Sequence, residues 1–401
     1  MPFLIFLVTK WGGNALIYGI IGATYSFFQF IGAPILGKWS DKYGRRKILL
    51  LSQGGTLVSW LLLLTAFLVP QTIWTNIDSS LLGKFSVTLP LIILFVARAA
   101  DGLTGGNISV ANAYLVDISD ESDRNEKFGK MAVSGNLGFV IGPALAGLLG
   151  ATVYGEIVPV IAAIVISFIA TLIVLFFLPE SKKCIIKSEP DSHRFSKVFG
   201  QDQKDCYQIE QNESTDRSAL FKIKGIPVLL AMYFLVMLGF NFFYVVFPVY
   251  AMSVLSWSVT NTGVFFAFLS IMMVLVQGPL LKFLSSNVSD KYLMLIGSLI
   301  LSISFLFFNT TDTKFIYIGA TLLAIGNGLM WPSLLSILSK AAGDKVQGAV
   351  QGFAGSAGAI ASIIGLILGG FLYSSLGANI FLIAGAIIFV VFLSSFHLLR
   401  N

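Results

Sequence analysis

Charge is what this chain has least of. Only 11% of its 401 residues are Asp, Glu, Lys or Arg, against about a quarter in soluble domains. With 56% of residues hydrophobic and a mean hydropathy of +0.85, it needs lipid rather than water around it, which excludes a soluble enzyme. Cysteine is nearly absent as well. Cys184 and Cys206 are the only two, both in a polar segment, so neither a disulfide framework nor a thiolate zinc cluster can be built. Two histidines, His193 and His397, exclude a His-rich metal site. There is no GxxxxGK(S/T) loop, and hence no ATP hydrolysis by the chain itself; Ser/His/Asp and HExxH arrangements are also missing. No metal or cofactor is expected, and no selectivity-filter-like sequence supports a channel.

What is present is a series of long apolar runs. A helix rises about 1.5 Å per residue, so crossing the hydrocarbon takes roughly 20 apolar residues. Such runs occupy 14–37, 48–69, 88–116, 127–150, 157–178, 226–251, 262–282, 292–309, 315–338, 349–373 and 378–399. Strands are set aside, because a barrel shows weak alternating segments instead. The expected fold class is an all-α integral membrane protein with eleven spans. Met1–Thr9 is apolar but too short to cross, and it lacks the basic start and small-residue cleavage site of a signal peptide. It reads as an amphipathic stub or as the tail of a truncated first helix. The second reading is preferred because it restores an even count of twelve.

Residues 179–225 form the one long polar segment, expected to be a flexible or weakly helical linker. It separates an N-terminal helical half, 1–178, whose first helix is incomplete, from a six-helix half, 226–401. The halves echo each other: "GAPILGKWSDKY" has a faint counterpart in "GPLLKFLSSNVSDKY", and the Gly-rich runs 127–150 and 349–373 hold matching places. Parallel repeats of this kind suit a transporter with its substrate site at the midplane. Of the 26 lysines and arginines, 22 fall in 38–47, 117–130, 179–225, 282–291, 339–348 and at Arg400. That side is expected to be cytoplasmic, and the net charge of +6 is an orientation signal rather than a nucleic-acid footprint.

The loop after the first of these runs reads Gly37-Lys38-Trp39-Ser40-Asp41-Lys42-Tyr43-Gly44-Arg45-Arg46-Lys47. It resembles the signature loop of the major facilitator superfamily, GxxxDxxGRR(R/K), at every fixed position. Gly37 lets helix ends approach closely. Asp41 can sit at the positive N-terminal end of a neighbouring helix, with 349–373 the expected one. Arg45 can pair with Asp117. These contacts are expected to latch the cytoplasmic side shut and release as the halves rock. Arg46 and Lys47 can equally serve orientation alone.

Run 88–116 contains Arg98 and Asp101, two charges deep in an apolar helix, costly there and hence functional by default. Three apart, they share a helix face and can pair. The resemblance extends here: the family's second motif has an arginine followed four residues later by glycine, matching Arg98 and Gly102, and in proton-coupled relatives that arginine is tied to proton transfer. Asp101 lies outside the motif. As the only carboxylate well inside a run, it is the candidate proton carrier, with a neutralised structural pair as the alternative. Gly138, Gly142, Pro143 and Gly147 resemble the family's GxxxGPxxGG element, with Ala146 in place of one glycine; in the family this element marks drug:proton antiporters. Ordinary glycine-mediated packing is the other reading. Together with "NISVANAYLVDISDESDRNEKFGK", these motifs resemble the tetracycline-resistance branch, well over 14–181 and thinly beyond the linker.

Candidate cavity residues are Gln29, Asn112, Asn136, Asn241, Tyr244, Gln277, Asn327 and Trp331, each of which can instead be an interhelical contact. Asn241 sits among the aromatics of "GFNFFYVVFPVY", which suits a hydrophobic or aromatic solute. The resemblance implies alternating access and proton-coupled export of a small amphipathic compound or drug, by a monomer in the cell membrane (the inner membrane if bacterial). The expected partners are a solute, protons and the lipid bilayer, with no nucleic acid. An importer of the same fold and a non-transporting scaffold are the alternatives.

Overall fold

The computed structural model describes residues 3–79, 82–118, 131, 134, 135, 137, 138, 141, 142, 145–150, 152–181, 223 and 225–400. Helix dominates, as the hydropathy requires: with no water in the hydrocarbon, backbone N–H and C=O groups must pair within their own segment. Among the described residues, nine helical stretches are long and apolar enough to cross a membrane. They account for every expected run except 127–150, of which residues 145–150 are helical and much of the remainder lies outside the described residues.

The chain begins with α1 (Leu4–Lys10), where the expected stub is a helix with Ile5, Leu7 and Val8 fully buried. Then come α2 (Ala15–Tyr43) and α3 (Arg45–Thr65), joined at Gly44, whose φ of +103° is a conformation that only glycine adopts without strain. Run 88–116 is broken near Gly105 into α4 (Leu89–Thr104) and α5 (Asn107–Asp117). After α6 (Ile157–Phe177) the expected linker lies mostly outside the described residues, and only its start, Pro179–Ser181, is placed together with the residues next to α7 (Ile226–Ser253). Run 262–282 becomes α8 (Val259–Leu275), a π turn (Val276–Leu280) and the short α9 (Leu281–Ser285). The turn holds Pro279, which has no N–H to give to an i→i−4 bond, so the ladder shifts register there. Next come α10 (Asp290–Ser304), α11 (Thr313–Leu376) and α12 (Ile380–Arg400).

Two features depart from the sequence reading. The polar turn expected at 339–348 is helical, which merges runs 315–338 and 349–373 into the 64-residue α11. A straight helix of that length spans about 96 Å. Yet the Tyr233 ring packs on Trp331 with centroids 4.9 Å apart, and a methyl group on Gly358 would lie 3.0 Å from the same ring. Those two positions are about 40 Å apart on a straight helix, so α11 folds back into two arms between them. The second departure is an antiparallel hairpin, β1 (Ile73–Ser79) with β2 (Gly83–Thr88), where strands were set aside. A search for long apolar runs passes over it, but Ile73, Trp74, Thr75, Ile77, Phe85, Val87 and Thr88 are residues that favour a pleated surface.

The hairpin is tied to the start of α2. Ser86 N donates to the Gly12 carbonyl (2.8 Å), and the Thr88 hydroxyl donates to the Trp11 carbonyl (2.6 Å). Asn14 caps α2 by accepting from Ile17 N (3.0 Å), while its amide donates to the Leu82 carbonyl (3.0 Å). At this hairpin end, helices before residue 182 meet helices after residue 222. A methyl on Gly147 would overlap the backbone of Gly263, and one on Gly19 would overlap the Leu366 carbonyl; one on Gly370 would lie 2.5 Å from the Ala15 carbonyl. At the opposite end, methyls on Gly37, Gly352 and Gly355 would each meet no atom within 4 Å.

Candidate functional site

The first cluster lies at that opposite end, hereafter the latch end. Arg45, the first residue of α3, is its hub. Its Nε donates to Asp117 Oδ2 (3.0 Å), and its Nη1 reaches Asp41 Oδ1 (2.6 Å) and Ser40 Oγ (2.7 Å). Ser181 Oγ donates to the same Asp117 oxygen (2.8 Å), and Tyr114 donates to the Pro179 carbonyl (2.9 Å). The Arg46 backbone N–H donates to Glu180 Oε1 (3.0 Å), and its guanidinium donates to the Leu175 carbonyl, so Arg46 does more than set orientation. A side chain at Gly44 would collide with Glu180, since a methyl there would lie 2.7 Å from Oε2.

The structure brings Asp41, Arg45 and Asp117 together and places Gly44 and Arg46 beside Glu180, with one departure from the expected latch. Each of these contacts joins elements before residue 182, and a methyl group on Gly37 would meet no atom within 4 Å. These contacts clamp α2, α3, α5 and the segment after α6 together. The departure concerns Asp41: the backbone is helical straight through 349, so no free helix N-terminus exists there to receive Asp41, which pairs with Arg45. Ser40, Tyr114, Glu180 and Ser181 were missed. The only available signal was a carboxylate directly after an apolar run, on the side rich in lysine and arginine.

The second cluster is intramembrane. Arg98 Nη1 donates to Asp101 Oδ2 (2.9 Å) across one turn of α4, and the two side chains are 12% and 11% exposed, so the pair is nearly dry. The guanidinium lies over the Tyr25 ring at 4.5 Å from its centroid, a cation–π contact strengthened by desolvation. Thr56 of α3 lies beside the Asp101 carboxylate. Gln29 donates to Tyr25 Oη (3.3 Å) and to the Gly105 carbonyl (3.0 Å). Close packing makes this possible: methyls on Gly102 and Gly106 would lie 2.5 Å from the Tyr25 carbonyl and from Ala33 Cα. Arg98 Nε is buried without a hydrogen-bond partner among the described residues, which marks the site as polar but incompletely satisfied. Tyr25 and Thr56 were not anticipated; neither is unusual in an apolar helix.

Of the glycine element, Gly147 makes the close crossing with Gly263, Gly138 and Gly142 face open space, and Pro143 lies outside the described residues. Among the cavity candidates, Asn136 also lies outside them and Asn112 is half-buried on α5. Asn241 donates to Ser362 Oγ (3.0 Å) and to the Met237 carbonyl (2.7 Å), tying α7 to the second arm of α11. Tyr244 stacks on Phe266 with centroids 6.1 Å apart. Gln277 is half-buried in the π turn, Asn327 is buried, and Trp331 packs on Tyr233. Tyr233, Asn241 and Tyr244 share one face of α7. The aromatics around Asn241 largely do not line a solute site: Phe243 and Phe247 are fully buried, and Phe247 stacks on Phe265 at 4.1 Å, so they form a core.

The profile of the Major Facilitator Superfamily matches residues 1–285 and 229–401. The class E tetracycline resistance protein of Escherichia coli is 27% identical over 379 residues, covering 94% of this chain and 84% of its own. Among solved structures, a D-xylose-proton symporter aligns with a TM-score of 0.70 at 15% identity, covering 95% of this chain and 87% of that one. The human organic anion transporter MFSD10 (TETRAN) aligns with a TM-score of 0.63 at 21% identity, covering 94% and 83%. With its multiple apolar helices and a family profile that spans nearly its whole length, the chain belongs to the Major Facilitator Superfamily and is a multi-pass membrane transporter of small solutes.

Proposed function

We propose that the chain exports a small amphipathic compound in exchange for protons, by alternating access between two half-bundles, 1–178 and 226–401, joined by the 179–225 segment. The observation that carries this reading is the Arg98–Asp101 pair. A carboxylate with a paired arginine, 11% exposed and flanked by Tyr25 and Thr56, is the group in this bundle suited to take up and release a proton. Proton entry at Asp101 frees Arg98 from its partner and changes the charge that the helix interior presents to a solute. The likeness to tetracycline resistance proteins supports export of a drug-sized compound. Gln29, Asn241, Tyr244 and Trp331 are the polar and aromatic groups best placed to contact it. The close crossings at the hairpin end and the open glycines at the latch end suit a carrier open to one side. The basic latch end is assigned to the cytoplasm of a cell membrane. The electrical part of the proton gradient supplies about 2.3 kcal/mol per 100 mV.

The test is accumulation of tetracycline and a panel of amphipathic drugs in cells expressing the chain, with and without a protonophore. The expected result is lowered accumulation that the protonophore reverses and Asp101→Asn abolishes. Accumulation that stays low after the gradient collapses, or an Asp101→Asn variant with full efflux, rules out proton exchange at this pair.

A further inference from the structure

The Ser40-Asp41-Lys42-Tyr43 sequence recurs as Ser289-Asp290-Lys291-Tyr292, but the second copy sits one helix boundary later: Asp41 lies near the end of α2, Asp290 at the start of α10. Asp290 thus occupies the place of Arg45, the first residue of α3. Its partner is a cation. Lys340 Nζ reaches Asp290 Oδ2 at 2.5 Å, and Ser336 Oγ donates to the same oxygen at 2.7 Å. Arg45 likewise pairs with Asp117, at the end of a later helix, and also holds a serine hydroxyl. The second helix group repeats the clamp of the first with the charges exchanged.

Its position gives it a lever. Ser336 and Lys340 are one turn apart on one face of α11, at the end of its first arm. The anion at the first residue of α10 is also favoured by the helix dipole. Lys340 lies two residues before the end of the first span at Ala342, and the second arm is under way by Gly352, so a shift of the first arm's end is passed on through a short link. In this arrangement Gly352 and Gly355 of the second arm stand clear of α2, while Leu366 and Gly370 remain packed on Gly19 and Ala15.

We propose that the Asp290–Lys340 pair, with Ser336, is a positioning latch for transport: it fixes the end of the first arm of α11 to α10 and thereby holds the second arm away from α2 at the latch end. This rests on family membership alone and is independent of the solute and of proton coupling. Lys340 is 74% exposed and Asp290 23%, so the pair adds little to overall stability. A contribution of that size moves a two-state equilibrium by up to about fivefold.

The test uses the full chain in lipid nanodiscs, with Cys184→Ser, Cys206→Ser and Gly355→Cys as the parent, alkylated by a membrane-impermeant maleimide. Releasing the latch lets the second arm close on α2, so Asp290→Asn and Lys340→Gln should each slow alkylation about threefold or more. Lys340→Arg should keep the parent rate, and the exchange variant D290K/K340D should restore it. Parent-like rates in both neutral variants overturn the proposal, as does an exchange variant that stays slow. A lowered melting temperature without slower alkylation marks the pair as merely structural and overturns it too. Should the exchange variant fail to fold, the neutral variants and Lys340→Arg decide the matter.

Discussion

The helices before residue 182 are held by charge, those after residue 222 largely by rings. In the first set, Arg45 gathers Asp41, Asp117 and Ser40, and Arg98 holds Asp101 beneath a tyrosine ring. In the second, Phe243, Phe247, Phe265, Phe266, Phe305, Phe308 and Phe381 are all fully buried and pack on one another, while Asn241–Ser362 supplies a neutral bond between helices. The difference concerns what each set can do. A ring cluster has one way to pack and gives rigidity, whereas a buried ion pair keeps two protonation states and two partner sets within reach. Among the described residues, the closest backbone approaches between the two sets are the glycine crossings at the hairpin end, Gly147 on Gly263 and Gly19 on Leu366.

That contrast can be broken most forcefully through the charges. Arg98→Ala leaves the Asp101 carboxylate nearly dry and without its cation, at a cost of about 3–5 kcal/mol; the melting temperature in detergent should fall sharply, and the further change Asp101→Asn should recover most of it. Next comes the contact between the sets. Gly147→Leu drives a side chain into Gly263 and should cost about 1–3 kcal/mol in thermal unfolding, while Gly142→Leu, with open space around it, should leave the transition in place. Arg45→Ala removes hydrogen bonds to charged partners worth about 1.5–3 kcal/mol in principle; it should lower stability and raise hydrogen exchange around Tyr114 and Ser181, with no change near Asn241. The smallest effect belongs to the ring-rich set: Ser362→Ala should cost about 0.6 kcal/mol, the usual size for a hydrogen bond between membrane helices.

The runs of apolar residues were legible because crossing a bilayer imposes a length, and Arg45–Asp117 was legible because a motif fixes one partner and an end-of-helix carboxylate offers the other. What stayed hidden was set by proximity across the chain. Glu180 meets Arg46 from the far side of four intervening runs, and nothing local announces it. Asp290 and Lys340 lay in segments read as turns, where only the fold-back of α11 shows that they meet. The bend itself was hidden because polar residues at 339–348 look like a loop, yet none of them is a proline, and helix can continue. The aromatics beside Asn241 were read as suiting a hydrophobic solute because composition cannot tell a ring facing a cavity from one facing another ring.

The Asn14 amide that ties α2 to the hairpin also sets an order of events during synthesis. Its acceptors on Leu82 and Lys84 lie 68 and 70 residues downstream. At about 5–20 residues per second, a ribosome delivers them some 3–14 s after Asn14 itself. Through that interval α2 and α3 must enter the membrane with the start of α2 unfastened. The hairpin is therefore a closing stitch, tied only once the chain beyond it has begun to insert, and Asn14→Ala should show itself first as a slower gain of protease resistance in newly made chains.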